Sequence, residues 1–231
     1  MSAAAVTALY GLNTGGPFSN YGFIFGPGKY ASYATAIAGN ASRTIMVWVK
    51  PTKTLGYAWG TSVIPIFCSG TTVANQDFSL RYYGSITEGN CYLAFNGWSN
   101  DFNCFRSLPA DVWSCLVITY DGTRIRLFVN GVMPVLNGER ATTAINTAPG
   151  PIRFGTDHNG NSNGAAFAGF RLESVALNAT QIQNEMSRLV APRPTLYAQW
   201  PLTEGNGATA DDNSGNNRTL TLVGSPPWVV Q

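Results

Sequence analysis

The chain of 231 residues is 45% hydrophobic and only 11% charged, with a net charge of +2. Soluble domains ordinarily carry about 25% charged residues, so this one meets water through neutral Thr, Ser, Asn and Gly, and its apolar content excludes general disorder. Lysines and arginines are scattered singly, without the basic run that nucleic acid requires, and no stretch approaches the ~18 consecutive apolar residues of a membrane span.

In chain order, Met1–Tyr10 comes first, with no positive charge ahead of its mildly apolar run. It is a poor secretory signal. A virion protein assembled in a host cytosol would begin this way, and residues 1–17 read as an N-terminal arm. Thr44–Lys50 is rich in strand formers and ends at Pro51. Ser62–Cys68 is apolar but holds Pro65, which suits an edge strand or a bulge. Asp77–Tyr82 alternates polar and apolar, and Cys91–Phe95 follows a Glu88-Gly89-Asn90 turn. The clearest hairpin joins Trp113–Tyr120 to Thr123–Val129 through Asp121-Gly122, because such a turn needs positive φ. Ile152–Phe154 and Ala166–Leu177 read as two more strands, the second bent at Gly169. Asn178 is a good N-cap. Ile182, Met186 and Leu189 recur at helical spacing, and Pro192 and Pro194 close the element, so one short helix is predicted over 179–189. Many short strands with one helix argue for an all-β protein, a sandwich or jelly roll. Trp48 and Trp113 read as core residues.

Cys68, Cys91, Cys104 and Cys115 match no zinc spacing, and the lone His158 cannot complete a usual zinc set. Buried thiols are the plain reading. A Cys91–Cys104 bridge is the alternative for a protein that works outside cells. The sequons at Asn40, Asn178 and Asn217 carry little without a secretory signal.

Four stretches together resemble laminin-G-like jelly rolls of the concanavalin A-like lectin and glucanase superfamily. They are the tryptophan strand Thr44–Pro51, the segment Trp113–Gly131, the strand Phe167–Val175, and the helix entry Leu177–Ile182. The resemblance implies an antiparallel two-sheet jelly-roll sandwich. One departure stands out. Leu196–Gly207, with Asp211–Asn217 and Leu220–Gly224, is similar to the opening strand of such domains, yet here it comes last. Two arrangements fit a single 1–231 domain: a circular permutation, or residues 195–231 exchanged with a neighbouring subunit.

Retaining glycoside hydrolysis needs two carboxyl groups roughly 5 Å apart, and residues on one strand face must be two or four apart. No Glu-X-Asp or Glu-X-X-X-Glu arrangement occurs among the acidic residues, and Asp211-Asp212 sits in a turn of the Asx-capping kind. There is no Gly-X-Ser-X-Gly elbow and no phosphate-binding loop. The chain is therefore expected not to be an enzyme, with a polysaccharide lyase or hydrolase as the enzymatic alternative. Saccharide sites combine an aromatic face with Asn, Asp and backbone groups. Two loops have that chemistry and supply the candidate ligand-binding residues: Trp98, Asn100 and Asp101 in one, and Asp157, His158, Asn159 and Asn161 in the other. Simple loop packing of Trp98, and solvated turn chemistry with a surface His158, remain the competing readings. Oxygen-rich loops also suit a hard cation, which makes Asp101 and Asp157 candidate calcium ligands. The expected function is a non-catalytic structural or adhesion module with glycan-binding capacity, at a virion surface or in an extracellular assembly. Its partners would be glycans or other subunits, including copies of itself through the C-terminal strands. A monomeric carbohydrate-binding lectin is the alternative.

Overall fold

A computed structural model describes residues 16–51, 63–83, 92–162 and 165–230. The readings of Met1–Tyr10, Cys91 and the Glu88–Asn90 turn lie outside the described residues. In chain order the strands are β1 (Tyr21–Phe25), β2 (Tyr30–Tyr33), β3 (Arg43–Pro51), β4 (Val63–Ser69), β5 (Ser79–Tyr83), β6 (Tyr92–Asn96), β7 (Phe102–Phe105), β8 (Ser114–Tyr120), β9 (Arg124–Val129), β10 (Glu139–Ala141), β11 (Ile152–Phe154) and β12 (Ala165–Glu173). Helix α1 (Ala179–Glu185) follows, then β13 (Leu196–Trp200), β14 (Thr209–Ala210), β15 (Leu220–Val223) and β16 (Trp228–Val230).

All pairings are antiparallel and form two sheets, the jelly-roll sandwich expected from the sequence. One sheet runs β10-β9-β8-β3-β12-β1-β16, with β13 also on β12; the other runs β14-β15-β2-β11-β4-β5-β6-β7. Period-two alternation sends Val47, Leu116, Leu127 and Phe167 of the first sheet inward against Phe67, Leu80, Phe95 and Phe154 of the second. The opposite face of the first sheet presents Met46, Trp48, Cys115, Val117 and Phe128, and α1 seals it with Ile182 and Met186. Trp48 donates its indole N–H to the Met186 carbonyl at 2.9 Å. This is the helix-covered sheet, and the second is the open sheet.

Pro65 sits in a central strand, where a register shift between Pro65 and Phe67 accommodates the missing donor. Gly169 has φ +52, and the β12–β3 register shifts between Ala168 and Arg171, so the expected bend is present. Asn178 and Gln181 form a reciprocal capping box on α1. The helix is shorter than expected, ending at Glu185, because the chain turns there to seat Arg193 between Glu173 (2.6 Å) and Glu185 (2.7 Å); Leu189 is left exposed. Trp113 is only half-buried, packing on the second cluster at the margin of the helix-covered sheet with Lys50 over its ring. Its position ahead of β8 puts it beyond the helix's cover. Cys68, Cys104 and Cys115 are buried free thiols, which accords with the plain reading and leaves Cys104 unbridged.

The C-terminal strands pair within their own chain and enter both sheets. β13 lies beside the second half of β12, while β1 lies beside the first half, so the two share one edge of β12. β15 pairs with β2, and β16 with β1. Trp200 is fully buried and donates its indole N–H to the Arg218 carbonyl at 2.6 Å. Asp212 caps the following turn, accepting from the amides of Gln199 and Ser214 at 2.9 Å each.

Candidate functional site

With α1 committed to the other sheet, the outward face of the open sheet carries no helix among the described residues. Its side chains follow from the registers. Tyr82, Leu93 and Cys104 point into the core, so Tyr83, Tyr92 and Phe105, each one residue away, point out. Cross-strand pairing sets those three side by side: Tyr83 opposite Tyr92, and Tyr92 opposite Phe105. The tyrosine rings stack at 4.7 Å between centroids and 13° between planes, and Phe105 lies 6.0 Å from Tyr92. Phe105 is 52% exposed. Burial and the adjacent Tyr83 both raise the Tyr92 phenol above its usual value, keeping it a neutral donor. Two residues along each strand, about 7 Å away, a second row holds Pro65, Arg81, Ala94 and Asn103.

Over this second row opens a cleft of about 430 Å³, lined by Pro27, Pro65, Arg81, Asp157, Asn161 and Ser162, among others. That volume suits a small ligand. Asp157 shapes its loop wall. One carboxylate oxygen accepts from the amides of Asn159 and Asn161 at 2.9 Å each, and the other from the Asn161 side chain at 3.0 Å. His158 is not the solvated histidine of the competing reading. Its Nε2 lies 2.8 Å from Asp77 and 3.3 Å from the Ser79 hydroxyl, which itself donates to Asp77. Asp77 is fully buried. This is not a relay of the nucleophile–base–acid kind, because serine and histidine share one carboxylate oxygen, and that oxygen and the serine hydroxyl contact the same ring nitrogen. The cluster instead pins the loop to β5. Beside it, Arg153 of β11 contacts Cys68, whose thiol burial pushes up to about 12 while Arg153 pulls the other way.

The Trp98 loop stands at the other end of β6, about 13 Å along the strand from Tyr92 to Asn96. Trp98 and Ser99 have φ of +50 and +133, a strained turn held by Asp101, whose carboxylate accepts from the Gly97 (2.7 Å) and Trp98 (2.9 Å) amides. Asn100 bonds Asn75 and accepts from Thr142, so it braces the loop internally. Trp98 is 47% exposed, and thus does not pack wholly under its loop. The structure therefore brings Asp157 and Asn161 to the cleft, leaves Asn159 in the same loop and turns His158 to Asp77, and gathers Trp98, Asn100 and Asp101 at a separate corner.

The candidate calcium ligands Asp101 and Asp157 stand in separate loops: one Asp101 oxygen accepts from the Gly97 and Trp98 amides, and the two Asp157 oxygens accept between them from Asn159 and Asn161. Among the described residues, no group of three His, Cys, Asp or Glu side chains converges as a metal site would. Tyr83, Tyr92, Phe105, Arg81 and Arg153 escaped the sequence reading. The Asp77–Tyr82 alternation, which includes Arg81, was the one available signal, and it pointed to a strand rather than to a site.

A two-sheet jelly roll with one face open and aromatic is the architecture of a lectin-like domain, and a wider comparison agrees. The profile of the concanavalin A-like lectin/glucanases superfamily matches residues 25–183, and the chain belongs to that superfamily. Among curated proteins, no sequence matches. Among solved structures, the chain is similar to a putative carbohydrate-binding protein from Bacteroides ovatus (TM-score 0.65, 17% identity), covering 90% of this chain and 60% of that one. It is also similar to a heptameric SAP-like pentraxin from Limulus polyphemus (TM-score 0.53, 14% identity), covering 89% of this chain and 95% of that one. A tailspike protein from Escherichia coli O157:H7 bacteriophage CAB120 matches at TM-score 0.51 and 15% identity, covering 71% of this chain but 24% of its own. At these identities the likeness is one of fold.

Proposed function

We propose that this protein is a non-catalytic glycan-binding module, and that the outward face of its open sheet holds the saccharide. The observation that carries this reading is the row Tyr83, Tyr92 and Phe105 beside the Arg81 cleft. Pyranose rings lie on aromatic faces, and hydroxyls are met by the polar groups at the cleft wall. The carbohydrate-binding description of the Bacteroides ovatus protein, with its similar fold, lends support. Trp98 serves as an outlying contact for a longer chain. Catalysis is disfavoured because Asp157 is the one carboxylate among the described cleft residues, and its oxygens are already engaged. A glycan array probed with the full chain tests the reading: selective retention of saccharides supports it, and uniform absence of binding refutes it.

The module works within a virion surface or an extracellular assembly. Two similar folds belong to a heptamer and to a phage tailspike. Residues 1–231 act as one permuted jelly roll, a reading favoured by the in-chain pairing of β13 with β12 and of β16 with β1. A strictly monomeric mass in solution favours the lectin role over the assembly role.

A further inference from the structure

We infer that the saccharide taken by the cleft is an acidic one, a uronate or a sulfated sugar whose anionic group docks on Arg81. This rests on the reading of the open sheet as a glycan site and names the ligand class for it. Arg81 stands in the second row of the sheet and lines the cleft. Its Nε is buried without a hydrogen-bond partner. Among the described residues its guanidinium enters no salt bridge, whereas three other buried or half-buried arginines are held by several acceptors each. Arg43 is held by three backbone carbonyls and Thr147, Arg171 by Gln199 and two carbonyls, and Arg193 by two glutamates. A buried guanidinium donor with no acceptor is costly, and a planar fork matches a carboxylate or sulfate oxygen pair.

The neighbouring acidic groups do not answer that charge. Asp157 turns its oxygens to Asn159 and Asn161, and Asp77 is fully buried against Ser79 and His158. Arg153 adds a second positive group on the same face, its strand paired to β4 as β5 is on the other side. Tyr83 follows Arg81 by one outward position, so a pyranose stacked on the aromatic row would place a ring substituent about 7 Å along the strand, at the guanidinium.

Isothermal titration of the full chain with an oligogalacturonate, the same oligosaccharide after reduction of its carboxylates, and a sulfated neutral oligosaccharide tests the inference. We expect the oligogalacturonate, the sulfated sugar or both to bind at least tenfold more tightly than the reduced sugar, with affinity falling as salt rises. Which of the two anions binds identifies the source of the charge. Arg81→Gln should remove that preference, bringing the acidic sugars to the affinity of the reduced one, and Arg81→Lys should restore part of it. Should Arg81→Gln unfold, as judged by circular dichroism, the salt dependence and the Arg81→Lys variant carry the test. Equal binding of reduced and acidic sugars, unaltered in the Arg81 variants, overturns the inference and leaves the glycan reading standing. Binding of none of the three, with a blank glycan array, overturns both.

Discussion

Cutting the chain after Pro194 should destroy the fold, because the last segment furnishes core rather than tail. Leu196, Trp200, Leu202, Leu220 and Leu222 are all buried, along with Ala198 and Ala210. Burying a large apolar side chain contributes about 1.5–3 kcal/mol, so the five large residues alone represent roughly 7–15 kcal/mol. A whole domain is stable by only about 5–15 kcal/mol. The cut also takes Gln199 from the fully buried Arg171 guanidinium and strips the partners from β2 and half of β12. Soluble yield, circular dichroism and gel filtration should therefore report aggregation or an unfolded chain for residues 1–194, with partial rescue by a 195–231 peptide, since the missing strands can be supplied in trans. A monomeric 1–194 fragment with the melting temperature of the full chain would refute the reasoning.

Other consequences follow from burial and charge. Trp48→Ala should cost ~3–5 kcal/mol and Trp113→Ala only about 1–2 kcal/mol in chemical denaturation, since the first is sealed by α1 and the second half-exposed; equal losses would contradict the assignment of the two rings. In a Cys91→Ser variant, the native protein should expose no reactive thiol at pH 8. Burial raises the thiols of Cys68 (about 12), Cys104 (about 11) and Cys115, and all three should label only on unfolding. At Asp121, partial desolvation works upward, but Thr123, Arg126 and the amides of Thr123 and Arg124 together hold the carboxyl well below the usual carboxylate range. Folding lowers its pKa, so its contribution is present above the unfolded value of about 4 and is lost as pH falls through the folded one. Asp121→Asn should remove ~1 kcal/mol or less of stability at pH 7, given its exposure, and progressively less as pH drops below about 4; a loss that grows on acidification would be the wrong sign.

The strands most legible in the sequence are those with long apolar runs and period-two alternation, β3, β8, β9 and β12. The readings at β4, β5, β6, β11 and β13 also fall on strands, and that of Asn178 on its helix cap. β1, β2, β10 and β14 were not legible, because they are short or, like β10, wholly exposed, so alternation had too few residues to register. Part of the cleft was legible, since Asp157 and Asn161 share one polar loop. The aromatic row was not. Tyr83, Tyr92 and Phe105 lie on three strands, and only the pairing register brings them together. His158 looked solvated because its partner, Asp77, is 81 residues away in the chain.

The central claim is that the open sheet, not the Trp98 corner, holds the saccharide, and a direct comparison of two variants tests it. Binding of an array-selected glycan to Tyr92→Ala and to Trp98→Ala should be measured by titration, with circular dichroism confirming the fold of each. Loss of one stacking contact costs about 0.5–1.5 kcal/mol, up to about a tenfold rise in Kd. The account predicts that rise, or more, for Tyr92→Ala and a smaller one for Trp98→Ala. Unchanged binding by folded Tyr92→Ala with loss in Trp98→Ala would contradict it.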